Sequence, residues 1–202
     1  FFRCSLSNLP SGVSMTTGKG RPEVLAKPQS IEIAKICFSP NCSERTSDEI
    51  SLLVIHNISL PPGEYGGGFV EKLFTNQLDP TDHPYFSEVS NLEVSSHLLI
   101  ERDGSITQFV PFNLKAWHAG VSNFQGRVDC NEFSIGIELE GTDDNEYEQE
   151  QYHALIEITK ELMLLYPQIK QDRIVGHSDI APQRKTDPGK AFDWQLYLSS
   201  LA

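Results

Sequence analysis

The chain has 202 residues, and 28 Asp and Glu against 16 Lys and Arg leave a formal net charge of −12 with histidine neutral. That length suits one domain, and at 39% hydrophobic and 22% charged residues it can bury a core without disulfide staples. So acidic a balance excludes attachment to nucleic acid or an anionic membrane surface through a basic face, although an anionic small substrate needs only a locally positive pocket. The charge is also regional: residues 129–161 hold eleven acids and one base, Lys160, so this stretch carries −10 and the remainder is close to neutral.

No apolar run reaches the roughly 20 residues needed to span a bilayer. Cys4, Cys37, Cys42 and Cys130 form neither a C-x-x-C pair nor a regular framework. A Cys37–Cys42 bridge is open, but thiols in a reducing cytosol are the simpler reading for a domain of this size. Residues 1–30 read as an irregular leader: the first fourteen are too short and polar for a signal-peptide core, and Met15 is the expected native start.

Along the chain, residues 31–38 predict a short first strand, followed by a loop rich in Pro, Asn, Ser and Asp. The run SLLVIH, residues 51–56, predicts a buried strand. After a Pro-Pro-Gly loop and three glycines, Phe69, Leu73 and Phe74 at helical spacing predict a helix over 69–77, and residues 79–91 read as a long polar loop. Residues 95–100 and 106–110 flank Asp103-Gly104, a tight-turn signal, and predict a hairpin. Residues 111–132 read as a loop carrying Trp117 and His118. In FSIGIELE, residues 133–140, Phe133, Ile135, Ile137 and Leu139 face one way and Ser134, Gly136, Glu138 and Glu140 the other. The stripe Tyr152, Leu155, Ile156, Leu162, Met163 and Tyr166, stopped by Pro167, predicts the longest helix. A short strand over 173–177, a loop-like tail and a final helix over 192–201 complete the order. Strands interleaved with helices, with one hairpin, predict an α/β single domain with a central mixed β-sheet flanked by helices.

Two histidines end short apolar runs, His56 after LLVI and His177 after RIVG, and Lys185 and Asp187 follow in the tail. Two imidazoles and a carboxylate make a zinc set that leaves a fourth position open. In an extended segment Lys185 and Asp187 point the same way, which would bring an ammonium beside the metal. Nothing matches H-E-x-x-H, and hydrogen-bonded polar residues at strand ends fit the spacing as well. Glu138 stands on the polar strand face near Gly136, where a carboxylate can move a proton between water and a leaving amine; a solvated charge, like Glu140 beside it, is the competing reading. His97 reads as a satisfied core residue, His83 as a loop residue, His153 as surface and His118 as a pocket wall.

Taken as a set, LLVIHNISLPPGEYGG, SSHLLIERDGSITQFVPFNLKAWHAGVS, CNEFSIGIELEGTD and GHSDIAPQRKTDPGKAFDW resemble the zinc-dependent N-acetylmuramoyl-L-alanine amidases. That superfamily includes phage T7 lysozyme and the peptidoglycan-recognition proteins. Over residues 31–195 the chain is most similar to the AmpD-type branch, the cytosolic 1,6-anhydro-N-acetylmuramoyl-L-alanine amidases of cell-wall recycling. The resemblance implies a zinc amidase domain over 31–202 with an amidase/peptidoglycan-recognition-like fold, and Zn²⁺ bound by His56, His177 and Asp187. It further implies Glu138 as general base, Lys185 as transition-state stabiliser and His118 as a substrate contact. The implied reaction is hydrolysis of the amide between (1,6-anhydro-)N-acetylmuramic acid and L-Ala of a muropeptide, by a cytoplasmic monomer that binds neither nucleic acid nor membrane. Many superfamily members carry Cys as third ligand, whereas Asp187 matches the AmpD-type branch. Where that branch has a further basic residue after Gly126-Arg127 this chain has Asp129, which leaves the stem-peptide preference open. The alternatives are an amidase acting on polymeric peptidoglycan, against which the lack of an evident signal peptide or wall-binding module speaks, and a non-catalytic fragment-binding module, against which Asp187 and Lys185 speak.

Overall fold

The computed structural model describes residues 30–202; the expectations for Cys4 and a start at Met15, and all but the last residue of the leader expected over residues 1–30, lie outside the described residues. The strands are β1 (Lys35–Ile36), β2 (Cys42–Glu44), β3 (Leu52–Ile58), β4 (Leu98–Ile100), β5 (Ile106–Gln108), β6 (Leu114–Ala116), β7 (Asn123–Phe124), β8 (Arg127–Val128), β9 (Ser134–Glu140) and β10 (Ile174–Gly176). The α-helices are α1 (Phe69–Phe74), α2 (Phe86–Val89), α3 (Gln149–Leu165), α4 (His177–Ile180) and α5 (Trp194–Ser199). Six strands form one sheet in the order β1-β5-β4-β9-β3-β10, antiparallel between β4 and β5 and parallel elsewhere. This is the expected mixed sheet flanked by helices.

β3 and β9 are neighbouring interior strands, and their parallel pairing explains their apolar runs, because both faces are covered. On one face Leu53, Ile55, Ile135, Ile137 and Leu139 pack against Leu155, Ile158 and Leu162 of α3. Burying each such side chain is worth about 1.5–3 kcal/mol. On the other, Leu52 and Val54 meet Ala119, Phe133 and Ile180, while Leu99 packs with Leu73, Phe74 and Phe86 of α1 and α2. The register sets His56 beside Glu138 and Glu138 beside Leu99, so both polar groups stand on this second face.

The acidic stretch opens α3. Glu148 caps the helix, its side chain taking the Gln151 N–H while the Gln151 side chain takes the Glu148 N–H, and Glu150 lies in the positive first turn. Arg102 pairs with Glu148 and donates to the Glu146 carbonyl. Pro167 follows the helix, as expected.

Several elements differ from the sequence reading. The first strand shrinks to two residues, and residues 79–91 contain α2, because Phe86 is fully buried and draws a helical turn onto the apolar cluster. The 111–132 loop carries β6, β7, β8 and a 3₁₀ turn at Cys130–Glu132, held by partners distant in sequence such as β2, which pairs with β6. His177 does not end a strand: the Gly176 N–H donates to Asp179 Oδ2 at 2.7 Å, the strand stops, and His177 opens α4. Cys37, Cys42 and Cys130 are thiols rather than disulfides. No helix among the described residues is long and apolar enough to cross a membrane.

Candidate active site

His56 sits inside β3, with its ring on the cleft face and 1% exposed. The turn of α4 delivers His177, 3% exposed, and the tail returns to bring in Asp187, 9% exposed. His56 Nδ1 lies 3.0 Å from His177 Nδ1, and each is 3.1 Å from Asp187 Oδ2. These atoms, all within 4.8 Å of one another, form a group that can hold a metal ion. The far nitrogen of His177 is 3.1 Å from the Ala119 carbonyl, which can only accept. In a neutral ring that Nε2 carries the proton and Nδ1 a lone pair aimed at the cluster. Burial pushes His56 down to about 4, against the opposing pull of Asp187, so its ring is neutral at pH 7. Burial disfavours charge on Asp187 as well, but the neighbouring imidazoles of His177 and His56 outweigh it and hold the carboxyl below the ordinary Asp value. Two imidazole lone pairs and a carboxylate converging in a buried place form a donor set that fits a borderline cation such as Zn²⁺.

Glu138, register partner of His56, puts Oε1 3.9 Å from His56 Nδ1. Its Oε2 is buried with no hydrogen-bond partner among the described residues. Burial, reinforced by the charge of Asp187 and opposed by Lys185, raises its carboxyl well above the usual range. Lys185 is half-buried and shares a cleft of about 260 Å³ with His56, Glu138, His177 and Asp187. From this polar end the cleft runs along Trp117 and an apolar wall of Leu73, Tyr85 and Val89. The structure therefore gathers His56, His177, Asp187, Glu138 and Lys185 in one place. Such a set can hold a cation, hold a proton beside it, and place a positive side chain opposite developing negative charge.

The model of the N-acetylmuramoyl-L-alanine amidase family matches residues 46–190. The chain belongs to this family. This amidase is 57% identical over 164 residues to the 1,6-anhydro-N-acetylmuramyl-L-alanine amidase AmpD of Haemophilus influenzae, covering 81% of this chain and 89% of the relative. A crystal structure of a selenomethionine derivative of AmpD superposes with a TM-score of 0.84 at 50% identity, covering 88% of this chain and 99% of that one. The amidase AmiD of Escherichia coli, solved with anhydro-N-acetylmuramic acid-L-Ala-D-gamma-Glu-L-Lys, superposes with a TM-score of 0.56 at 33% identity, covering 75% and 57% of the two chains.

The remaining histidines of the amidase separate cleanly. His97 is fully buried and takes the Gly136 N–H on Nδ1 at 3.0 Å. His83 accepts the Tyr85 N–H, and His153 is exposed. His118 is 8% exposed on the cleft wall, and both its ring nitrogens are engaged inside the protein, with His56 and Ser134. Burial and the neighbouring imidazoles hold it well below the ordinary histidine value.

Sequence reasoning missed the brace behind Asp187. Asn57 donates to Asp143 Oδ1 at 2.9 Å and to the Pro188 carbonyl at 3.1 Å, and Tyr147 donates to the same carbonyl at 2.8 Å. It also missed Ser134 and the apolar wall from α1 and α2. The one available signal was Asn57 directly after His56, since a polar side chain following a buried run needs a partner.

Proposed function

We propose that this amidase, with a domain spanning residues 31–202, hydrolyses the amide joining the lactyl group of (1,6-anhydro-)N-acetylmuramic acid to L-Ala in muropeptides, as a zinc enzyme of cytosolic peptidoglycan recycling. The observation that carries the reading is the convergence of His56 Nδ1, His177 Nδ1 and Asp187 Oδ2 beside the buried, partly unpartnered Glu138 carboxylate. The AmpD relatives supply the substrate class.

An amide resists water because its resonance must be broken and its amine leaves poorly. When held by His56, His177 and Asp187, Zn²⁺ supplies Lewis acidity toward water and toward a carbonyl oxygen. Glu138, whose surroundings strengthen its hold on a proton, takes the proton of the attacking water and returns it to the leaving nitrogen. The Lys185 ammonium stands where the carbonyl oxygen gathers negative charge. The same ammonium gives an acidic protein a local site for an anionic wall fragment. Asn57 and Tyr147 hold the Pro188 carbonyl and so keep Asp187 presented.

Incubation with purified anhydromuropeptide and, separately, with intact peptidoglycan, followed by mass analysis, tests the proposal. The expected result is release of anhydro-N-acetylmuramic acid and free peptide from the small substrate alone. Equal cleavage of both substrates would remove the recycling role, and an untouched small substrate would remove the reaction.

A further inference from the structure

We propose that Ser134 and His118 are positioning residues: a one-way run of hydrogen bonds, from His56 through His118 to Ser134 and the Cys130 carbonyl, fixes His56 with its Nδ1 lone pair on the metal. The inference rests on the metal-site reading above.

The direction is set at the inner end. Ser134 Oγ lies 2.6 Å from the Cys130 carbonyl oxygen, which only accepts, so the hydroxyl proton is spent there. Toward His118 Nε2, at 3.0 Å, Ser134 Oγ must then accept, so His118 carries its proton on Nε2. A neutral imidazole has one N–H, which leaves a lone pair on His118 Nδ1. The next contact, 2.9 Å to His56 Nε2, is then a hydrogen bond donated by His56. With the His56 proton on Nε2, its Nδ1 is a lone pair facing His177 Nδ1 and Asp187 Oδ2.

The same segments hold the rings in place. The His56 and His118 rings stand at 89° with centroids 5.0 Å apart. The Asn131 side-chain carbonyl takes the backbone N–H groups of His118 and Ala119 at 3.1 and 2.8 Å. The His118 ring lies flush on Gly136, where a Cβ would stand 2.5 Å from Cγ of the ring. Ser134, Gly136 and Glu138 share one face of β9, which thus presents the hydroxyl, the gap for the ring and the carboxylate in consecutive places. His177 needs no comparable device, because a backbone carbonyl, that of Ala119, fixes its far nitrogen. Metal-binding histidines are commonly oriented through their second nitrogen, and loss of that partner weakens metal binding. With both nitrogens turned inward, His118 acts through His56.

Imidazole ¹⁵N resonances of the full chain, metal-free at neutral pH, read the tautomers, and competition with a chromogenic chelator reads zinc affinity. Wild type is expected to show His56 and His118 both protonated on Nε2, and Ser134→Ala to let His118 exchange between its two forms. Zinc should bind about 10–100-fold more weakly to Ser134→Ala and His118→Phe. His118→Asn, which sets a carbonyl near the place of Nδ1, and Ser134→Thr should restore affinity. A wild-type His118 protonated on Nδ1 would overturn the proposal, and so would wild-type zinc affinity in Ser134→Ala. Should His118→Phe fail to fold, Ser134→Ala, which removes one oxygen, carries the affinity measurement. Should wild type bind no zinc, the metal-site reading falls by itself, while the tautomers of the metal-free protein still decide the hydrogen-bond direction.

Discussion

Glu138 and Asp187 are both buried carboxylates within reach of His56, and their surroundings drive them in opposite directions. Asp187 lies against two imidazoles that hold its carboxyl below the ordinary Asp value; Glu138 has an oxygen without a partner among the described residues and holds its proton more tightly than a free carboxyl. A site that pulls two like groups apart in this way is consistent with the proposal of a cation at Asp187 and proton transfer at Glu138. Removing them should therefore fail differently. Glu138→Ala is expected to keep zinc at wild-type stoichiometry and lose about 10²–10⁴ in turnover, while Asp187→Ala loses the ion itself, as metal analysis beside an amidase assay would read. Wild-type turnover in Glu138→Ala would take Glu138 out of the reaction. Lys185→Ala should retain zinc and cost about 10²–10³ in kcat; a change confined to KM would make Lys185 a binding residue only.

Among the elements, β9 does most to build the site, and it shows what was legible beforehand. Its alternation separated Ser134, Gly136, Glu138 and Glu140 from the column packed on α3, since a strand's period of two assigns faces directly. What the alternation did not reveal is that the polar face is also covered: Ser134 is fully buried and Glu140 is 4% exposed, accepting from the Gly66 and Arg102 N–H groups. The grouping of the candidate metal ligands followed from the resemblance more than from spacing, since His56 and Asp187 meet across 131 residues of sequence. The tie from Asn57 to Pro188 spans the same interval and left no local pattern. Elements of two to four residues, such as α2 and β6 to β8, escaped because so short a segment has no period and is placed by distant partners. Gly136 tests the packing on β9. Gly136→Ala drives a methyl group into the His118 ring and should destabilise the fold by about 1–3 kcal/mol while weakening zinc. Denaturant unfolding checks the first effect, and unchanged stability would mean that the ring is free to move aside.

For the whole molecule, the charge of −12 describes one stretch rather than the cleft. Glu148 and Glu150 of the acidic run cap and open α3, and Lys185 lies outside that run. The response to acid should come from the interior. His56, His97 and His118 are buried, and all three have folded-state values below the ordinary 6.5. Depressed values mean that folding favours the neutral rings. Their contribution is complete above pH 6.5 and is lost as pH falls toward the folded values, about 4 for His56. The metal-free protein should therefore melt at a lower temperature near pH 5 than near pH 7, by calorimetry or circular dichroism. Equal melting temperatures would contradict neutral burial.

The central claim is that a metal at His56, His177 and Asp187 serves cleavage of the muramoyl–L-Ala amide. Its most direct test is mass analysis of anhydromuropeptide after incubation with chelator-stripped protein, before and after one equivalent of Zn²⁺ is restored. The account predicts intact substrate before and separated anhydro-sugar and peptide after. Cleavage by the stripped protein, or cleavage at any other bond, would contradict it.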